Sequence, residues 1–216
     1  MITKLENGRI YDPINKINGK IKDLFIKNGK IIDRPKRNEK ISKIINLKTK
    51  IIMAGGIDIH SHIAGGKVNL ARLLLPEEHR KHLYSSSNIL RSGSGLGTCS
   101  SFHIGYKYAK LGYTAVFEPA VLPSNARSAI IEMSDIPLID KGTYTVLSND
   151  DFLLKLIQKK SNQKKINDYV AWIIQSTKSL GIKVVNPGGI NAFKFNQREL
   201  DLDEKNKKYN ITPRSI

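Results

Sequence analysis

The sequence predicts an α/β chain: the first half of a parallel (β/α) barrel, about four βα units over residues 51–216, preceded by a small β-sandwich-like unit over residues 1–50. Three observations carry this expectation. Short β-prone pieces punctuated by Asn-Gly pairs fill the first 50 residues, and from residue 51 strands alternate with helical stretches. The apolar run that opens the second region ends in Asp58-Ile59-His60-Ser61-His62. After Gly189 the chain turns polar without supplying a fifth barrel strand.

In the first region, residues 5–11, 23–27 and 30–33 read as strands, with Asn7-Gly8 and Asn28-Gly29 as hairpin signals. Residues 36–43 form a polar connector, and residues 44–47 read as one more strand. In the second region the first strand runs to the His-x-His. A polar stretch over 65–94 follows, with Pro76 and a helix through 77–83, long enough to cover a substrate. Residues 100–111 read as a helix capped by Gly112 and 113–119 as the second strand. Residues 124–133 are helical, 143–147 the third strand, and 149–180 mostly helical with a break at 161–163. Gly181 is the expected cap, and 182–185 is the fourth strand, closing on Asn186-Pro187-Gly188-Gly189. An open half-barrel leaves strand edges and its interior uncovered, so the sequence implies completion by another chain or by a longer parent.

With 216 residues the chain can bury a real core, and its hydrophobic fraction of 40% is that of a soluble protein. It contains no run of about 18 or more uncharged apolar residues, and its N-terminus carries Lys4 and Glu6, so membrane and secretory classes are excluded and a cytoplasmic protein is expected. The single cysteine, Cys99, cannot form an internal disulfide, and nothing beside it marks a reactive thiolate. The formal charge of +17 is spread along the whole chain without an arginine-rich arm or interleaved aromatics. It reads as solvated surface, and nucleic acid is an unlikely partner.

Side chains two apart on a strand project to the same side, so His60 and His62 can reach one metal ion together. In a parallel barrel, chemistry gathers at the C-terminal ends of the strands. At the fourth strand the candidate is Lys183, flanked by Ile182 and Val184. Such a lysine is partly desolvated, which favours the neutral amine, and a neutral amine can add carbon dioxide to give a carbamate whose two oxygens bridge two metal ions. Asp58 is expected to orient a ligand rather than bind metal, with Asn186 in a similar supporting place. His79 and His82 sit at helical spacing in the polar stretch and His103 in a helix, all three poor substitutes for ligands.

The segment from an apolar strand through Gly55-Gly56 to His60 and His62 resembles the opening signature of the amidohydrolase superfamily. Further segments narrow that resemblance to the family that comprises one subunit of formylmethanofuran dehydrogenase together with the α subunit of the formyltransferase/hydrolase complex, matching its N-terminal portion. They are GGIDIHSHIAG at 55–65, KVNLAR at 67–72, Arg91-Ser92-Gly93, GYKYAKLGYT at 105–114, Glu118-Pro119-Ala120, Asp140-Lys141-Gly142, YVAW at 169–172 and GIKVVNPGG at 181–189. The resemblance implies a metal-dependent amidohydrolase barrel with a β-sandwich beside it.

It further implies that His60 and His62 match the first pair of zinc ligands and Lys183 the carboxylated, metal-bridging lysine of a binuclear zinc site. The implied reaction is interconversion of formylmethanofuran with formate and methanofuran in one-carbon metabolism, with other subunits of the dehydrogenase or formyltransferase/hydrolase complex as partners. The remaining histidine ligands and the acid/base aspartate of that family lie on strands five, six and eight. This sequence does not reach those strands. Two other readings stand beside it: a cyclic-amidase or dihydroorotase-like amidohydrolase, which shares the His-x-His and the lysine but not the Asn186-Pro187-Gly188-Gly189 or Arg91-Ser92-Gly93 segments, and a non-catalytic half-barrel scaffold.

Overall fold

The computed structural model describes residues 1–81, 91–92, 98–197 and 201–216. It divides into two compact units, Met1–Gly55 and Gly56–Ile216.

The first unit is one five-stranded mixed sheet. Strand β1 (Ile2–Asp12) pairs antiparallel with β2 (Ile17–Lys27), which turns back into β3 (Lys30–Ile32). The turn holds Asn28 and Gly29 at φ 51° and 74°, the left-handed pair that a two-residue hairpin needs. The other edge of β1 takes two parallel partners in succession, β4 (Ile41–Asn46) along its first half and β5 (Ile51–Met53) along its second. Residues 51–53, read above as the start of the first barrel strand, therefore belong to this sheet. Asn7-Gly8 is not a hairpin turn but an irregularity inside β1, between Leu5 and Gly8 on the register with β2. Asn7 sits at φ 63°, so one left-handed residue shifts the register of the strand without reversing it.

The second unit carries a four-stranded parallel sheet in the order β6 (Gly56–Asp58), β7 (Tyr113–Val121), β8 (Asp140–Val146), β9 (Gly181–Lys183). The polar stretch after the His-x-His holds α1 (Gly66–Leu73) and α2 (Pro76–Lys81), and α3 (Phe102–Lys110) leads into β7. Gly112, at φ 86°, ends α3 as expected. His82, Gly93 and the far end of the helix expected over 77–83 lie outside the described residues. Helix α4 (Ala126–Ser134) joins β7 to β8. Two helices, α5 (Asp151–Gln158) and α6 (Gln163–Thr177), join β8 to β9. The Asp150 carboxylate accepts the Phe152 and Leu153 amides at the start of α5, and Asn162 accepts that of Lys165 at the start of α6. The left-handed residue that ends α6 is Lys178, at φ 56°, and Gly181 already begins β9. The short helix α7 (Gly189–Lys194) occupies the start of the polar segment that follows the fourth strand.

Paired residues of a parallel ladder share a face, so the register divides this sheet into two sides. Asp58, Val116, Glu118, Thr143 and Thr145 look toward the helices, and all but the first are buried. Ile63, Val116, Met133, Ile136 and Ile139 form the core there, with Ile104 and Tyr108 packed against it. A second cluster joins Leu147 to Leu153 and Ile173 beneath α5 and α6. The opposite side carries Ile57, Ala115, Phe117, Gly142, Tyr144 and Lys183. It is open, with Ile57 63% exposed.

Two details hold the helical side together. Arg72 of α1 is buried against Glu132 of α4, bonds to Asn69 and gives a further N–H to the Ile63 carbonyl. Gly105 lets α3 lie on the backbone at Pro137, because a Cβ at that position would overlap the Pro137 carbonyl oxygen. The Gly105→Ala variant is expected to lose about 1–3 kcal/mol in a denaturant titration through overpacking. Arg72→Met removes the cation that faces the buried Glu132 and leaves its Oε1 without that partner. Its loss on the same titration is expected to be larger, about 3–5 kcal/mol, and a variant as stable as the wild type would refute the structural role of the pair.

Candidate metal centre

Beyond β6 the backbone stays tied to β7 through the Ser61 amide, which donates to the Phe117 carbonyl at 3.0 Å. This holds His60 and His62 at the C-terminal ends of the strands, their rings edge to face with centroids 5.8 Å apart. Lys183 closes β9 at the far edge of the same sheet. Its Nζ lies 3.0 Å from His60 Nε2, a contact between residues 123 positions apart. The structure thus brings together His60, His62 and Lys183 as candidate donors. His60 and His62 are exposed and Lys183 is half-buried.

The surroundings of these three are more fixed than they are. Asp58 Oδ1 accepts the His60 amide at 3.0 Å, and its Oδ2 accepts the Tyr108 hydroxyl at 3.2 Å. The Tyr108 oxygen is in turn bonded to Ser61 Oγ, so the residue between the two histidines is anchored to α3. Burial pushes the Tyr108 phenol above its ordinary range, which keeps it a donor to Asp58. Asp58 therefore orients the histidine segment through its backbone.

On the other side of the loop, Glu118 meets His62: Oε1 lies 3.0 Å from His62 Nδ1 and also accepts the Ala120 amide at 3.0 Å. Oε2 accepts the amides of Ile63 at 2.7 Å and Ala64 at 3.3 Å. Glu132 continues the pattern by accepting the Gly65 amide at 2.9 Å. In the sequence Glu118 and Tyr108 stand out only as parts of matching segments, 118–120 and 105–114. The signal that could have found Glu118 is its place at the C-terminal end of a barrel strand.

Asn186 stands at φ 40°, and its backbone carbonyl accepts from Gly189 N at 2.9 Å and Asn149 Nδ2 at 3.3 Å. It shapes the turn into α7, and none of these bonds reaches the His60, His62 and Lys183 group. His103 lies within α3, as expected. Arg91 and Ser92 are held by Asp135, whose carboxylate accepts both of their amides at 2.8 Å. Among the described residues no group of three or more His, Cys, Asp or Glu converges on a point. Beside His62 opens a cavity of about 430 Å³, with walls of Ala64, Val68, Leu75, Ile104, Val121 and Ala129.

The profile of the amidohydrolase family matches residues 43–199. Protein FwdA of Methanocaldococcus jannaschii is 37% identical over 212 residues, which are 98% of this chain and 36% of that protein. The A component of the formyltransferase/hydrolase complex Fhc of Methylorubrum extorquens is 35% identical over 216 residues, 100% of this chain and 38% of that protein. The crystal structure of the M. extorquens complex FhcABCD with methylofuran superimposes with a TM-score of 0.85, again over 100% of this chain and 38% of the other. The chain thus spans less than two fifths of the length of the relatives it matches. A profile match across this much of the sequence, over a parallel sheet with His-x-His at the end of its first strand, places the chain in the amidohydrolase family.

Proposed function

We propose that this chain supplies the first part of a binuclear zinc site in an amidohydrolase that interconverts formylmethanofuran with formate and methanofuran. The observation that carries the reading is the 3.0 Å approach of Lys183 Nζ to His60 Nε2, from opposite edges of the four-stranded sheet. It is supported by the 35% identity to the A component of Fhc, whose solved complex holds methylofuran.

His60 and His62 offer imidazole nitrogens, and Lys183 is the third donor. Its neutral amine forms an N–C bond to carbon dioxide and loses one proton, and the resulting carbamate carries two oxygens able to bridge a pair of cations. Zinc bound there supplies Lewis acidity, which activates water near neutrality and polarises a formyl carbonyl. Asp58 and Tyr108 hold the backbone of the ligand segment in place. The cavity beside His62, with its largely apolar walls, offers room next to the site. The exposed inner face of the sheet supports a further partner: a second set of barrel strands, on the same polypeptide or another chain, that covers Ile57, Phe117 and Tyr144 and adds the remaining ligands. Other members of a multi-subunit complex are the expected wider company, as for the Fhc relative.

The reading is tested by preparing the chain with zinc and ¹³C-bicarbonate, then measuring bound zinc and the carbamate carbon resonance. Bound zinc and a carbamate signal are expected. Lys183→Arg should abolish the signal, and the His60→Ala, His62→Ala double variant should lose the zinc. Zinc binding and a carbamate signal that survive all three substitutions would overturn the assignment.

A further inference from the structure

Glu118 is 1% exposed, whereas the His62 side chain facing it is 54% exposed. Little else therefore holds the ring, and the bond from His62 Nδ1 to this buried carboxylate sets its orientation. The carboxylate is already engaged by backbone donors on both oxygens: Oε2 faces the Ile63 and Ala64 amides, and Oε1 faces the Ala120 amide as well as the ring. Three backbone N–H groups thus point at the two oxygens. The carboxylate offers only acceptor lone pairs, and the hydrogen shared with His62 belongs to Nδ1.

We propose that Glu118 is a positioning residue that locks His62 in the Nδ1–H tautomer, leaving Nε2 as the atom whose lone pair would bind a metal. The idea rests on the metal-site reading for its purpose, but the tautomer itself is a property of the metal-free chain. In a neutral imidazole one nitrogen donates and the other accepts, so fixing the hydrogen on Nδ1 fixes the lone pair on Nε2. A ligand whose remote nitrogen is held by a carboxylate is also the better metal base.

The same contacts explain why glutamine is the informative substitution. A glutamine that placed its NH₂ group where Oε2 stands would face two amide donors, Ile63 and Ala64. Placed where Oε1 stands, it faces only one, Ala120, and keeps the two loop bonds through its carbonyl oxygen. The second arrangement is favoured, and it aims an N–H donor at His62 Nδ1. The ring must then accept on Nδ1 and carry its hydrogen on Nε2, the wrong form for a ligand.

The experiment labels the histidines of the 216-residue chain with ¹⁵N and reads the ring nitrogen shifts of His62 without metal, assigned by comparison with His62→Asn. Zinc affinity is measured in parallel by competition with a chelator. Wild type is expected to show Nδ1–H. Glu118→Gln, with its fold checked by circular dichroism, is expected to switch to Nε2–H and to bind zinc about ten- to a hundredfold more weakly. A wild-type ring in the Nε2–H form would overturn the proposal even if the variant failed to fold. So would a folded Glu118→Gln protein with an unchanged tautomer. Wild-type chain that shows Nδ1–H and the Gln-induced switch yet binds no zinc would uphold the tautomer control and overturn the metal-site reading.

Discussion

The Glu118 carboxylate is the interaction on which the geometry of this site depends. A buried charge is costly unless every lone pair is used, and Glu118 spends its acceptors on the amides of Ile63, Ala64 and Ala120 and on the His62 ring. Those donors come from two places in the chain, the turn that follows the His-x-His and the end of the neighbouring strand. One carboxylate therefore couples the histidine loop to the sheet. Glu132 extends the same device by a residue, taking the Gly65 amide and the Arg72 guanidinium, which in turn holds the Ile63 carbonyl. Four consecutive residues after Ser61 are anchored in this way to β7 and α4.

The sheet turns that local order into a site. Its helix side is closed by Val116, Ile136, Met133 and the hydroxyls of Thr143 and Thr145, which bond to Ser179 and Thr177 at the end of α6. Its other side is open and carries Lys183 on the same face as Tyr144 and Ile57. Because parallel strands all end on the same side, residues separated by more than half of the chain meet there: His60 from the first strand and Lys183 from the fourth. The apolar cavity beside His62 lies on the helix side of the same strand ends, between α1 and α4.

Where the sequence pattern and the structure part, backbone context is the reason. Asn7-Gly8 has the composition of a hairpin turn, but strands β2, β4 and β5 hold the chain on both sides, so its left-handed residue becomes a bulge. The apolar run from Ile51 looked continuous with the histidines, yet its first three residues pair with β1 and the barrel strand begins at Gly56. Residues 66–73 lack a strong apolar stripe, and α1 there is stabilised by its buried Arg72 instead.

By itself the sequence determined the alternation of strands and helices, the family, and the choice of His60, His62 and Lys183 as candidate donors, because strand periodicity, glycine placement and spaced ligand types are local properties written in neighbouring residues. Only the tertiary structure decided that Lys183 meets His60, that Glu118 and Tyr108 support the histidine segment, and that Asn186 shapes a turn. Those relations are long-range: they depend on strand order, register and the direction of a side chain from the sheet, and a carboxylate 56 positions from His62 announces its partner only when the two strands lie side by side.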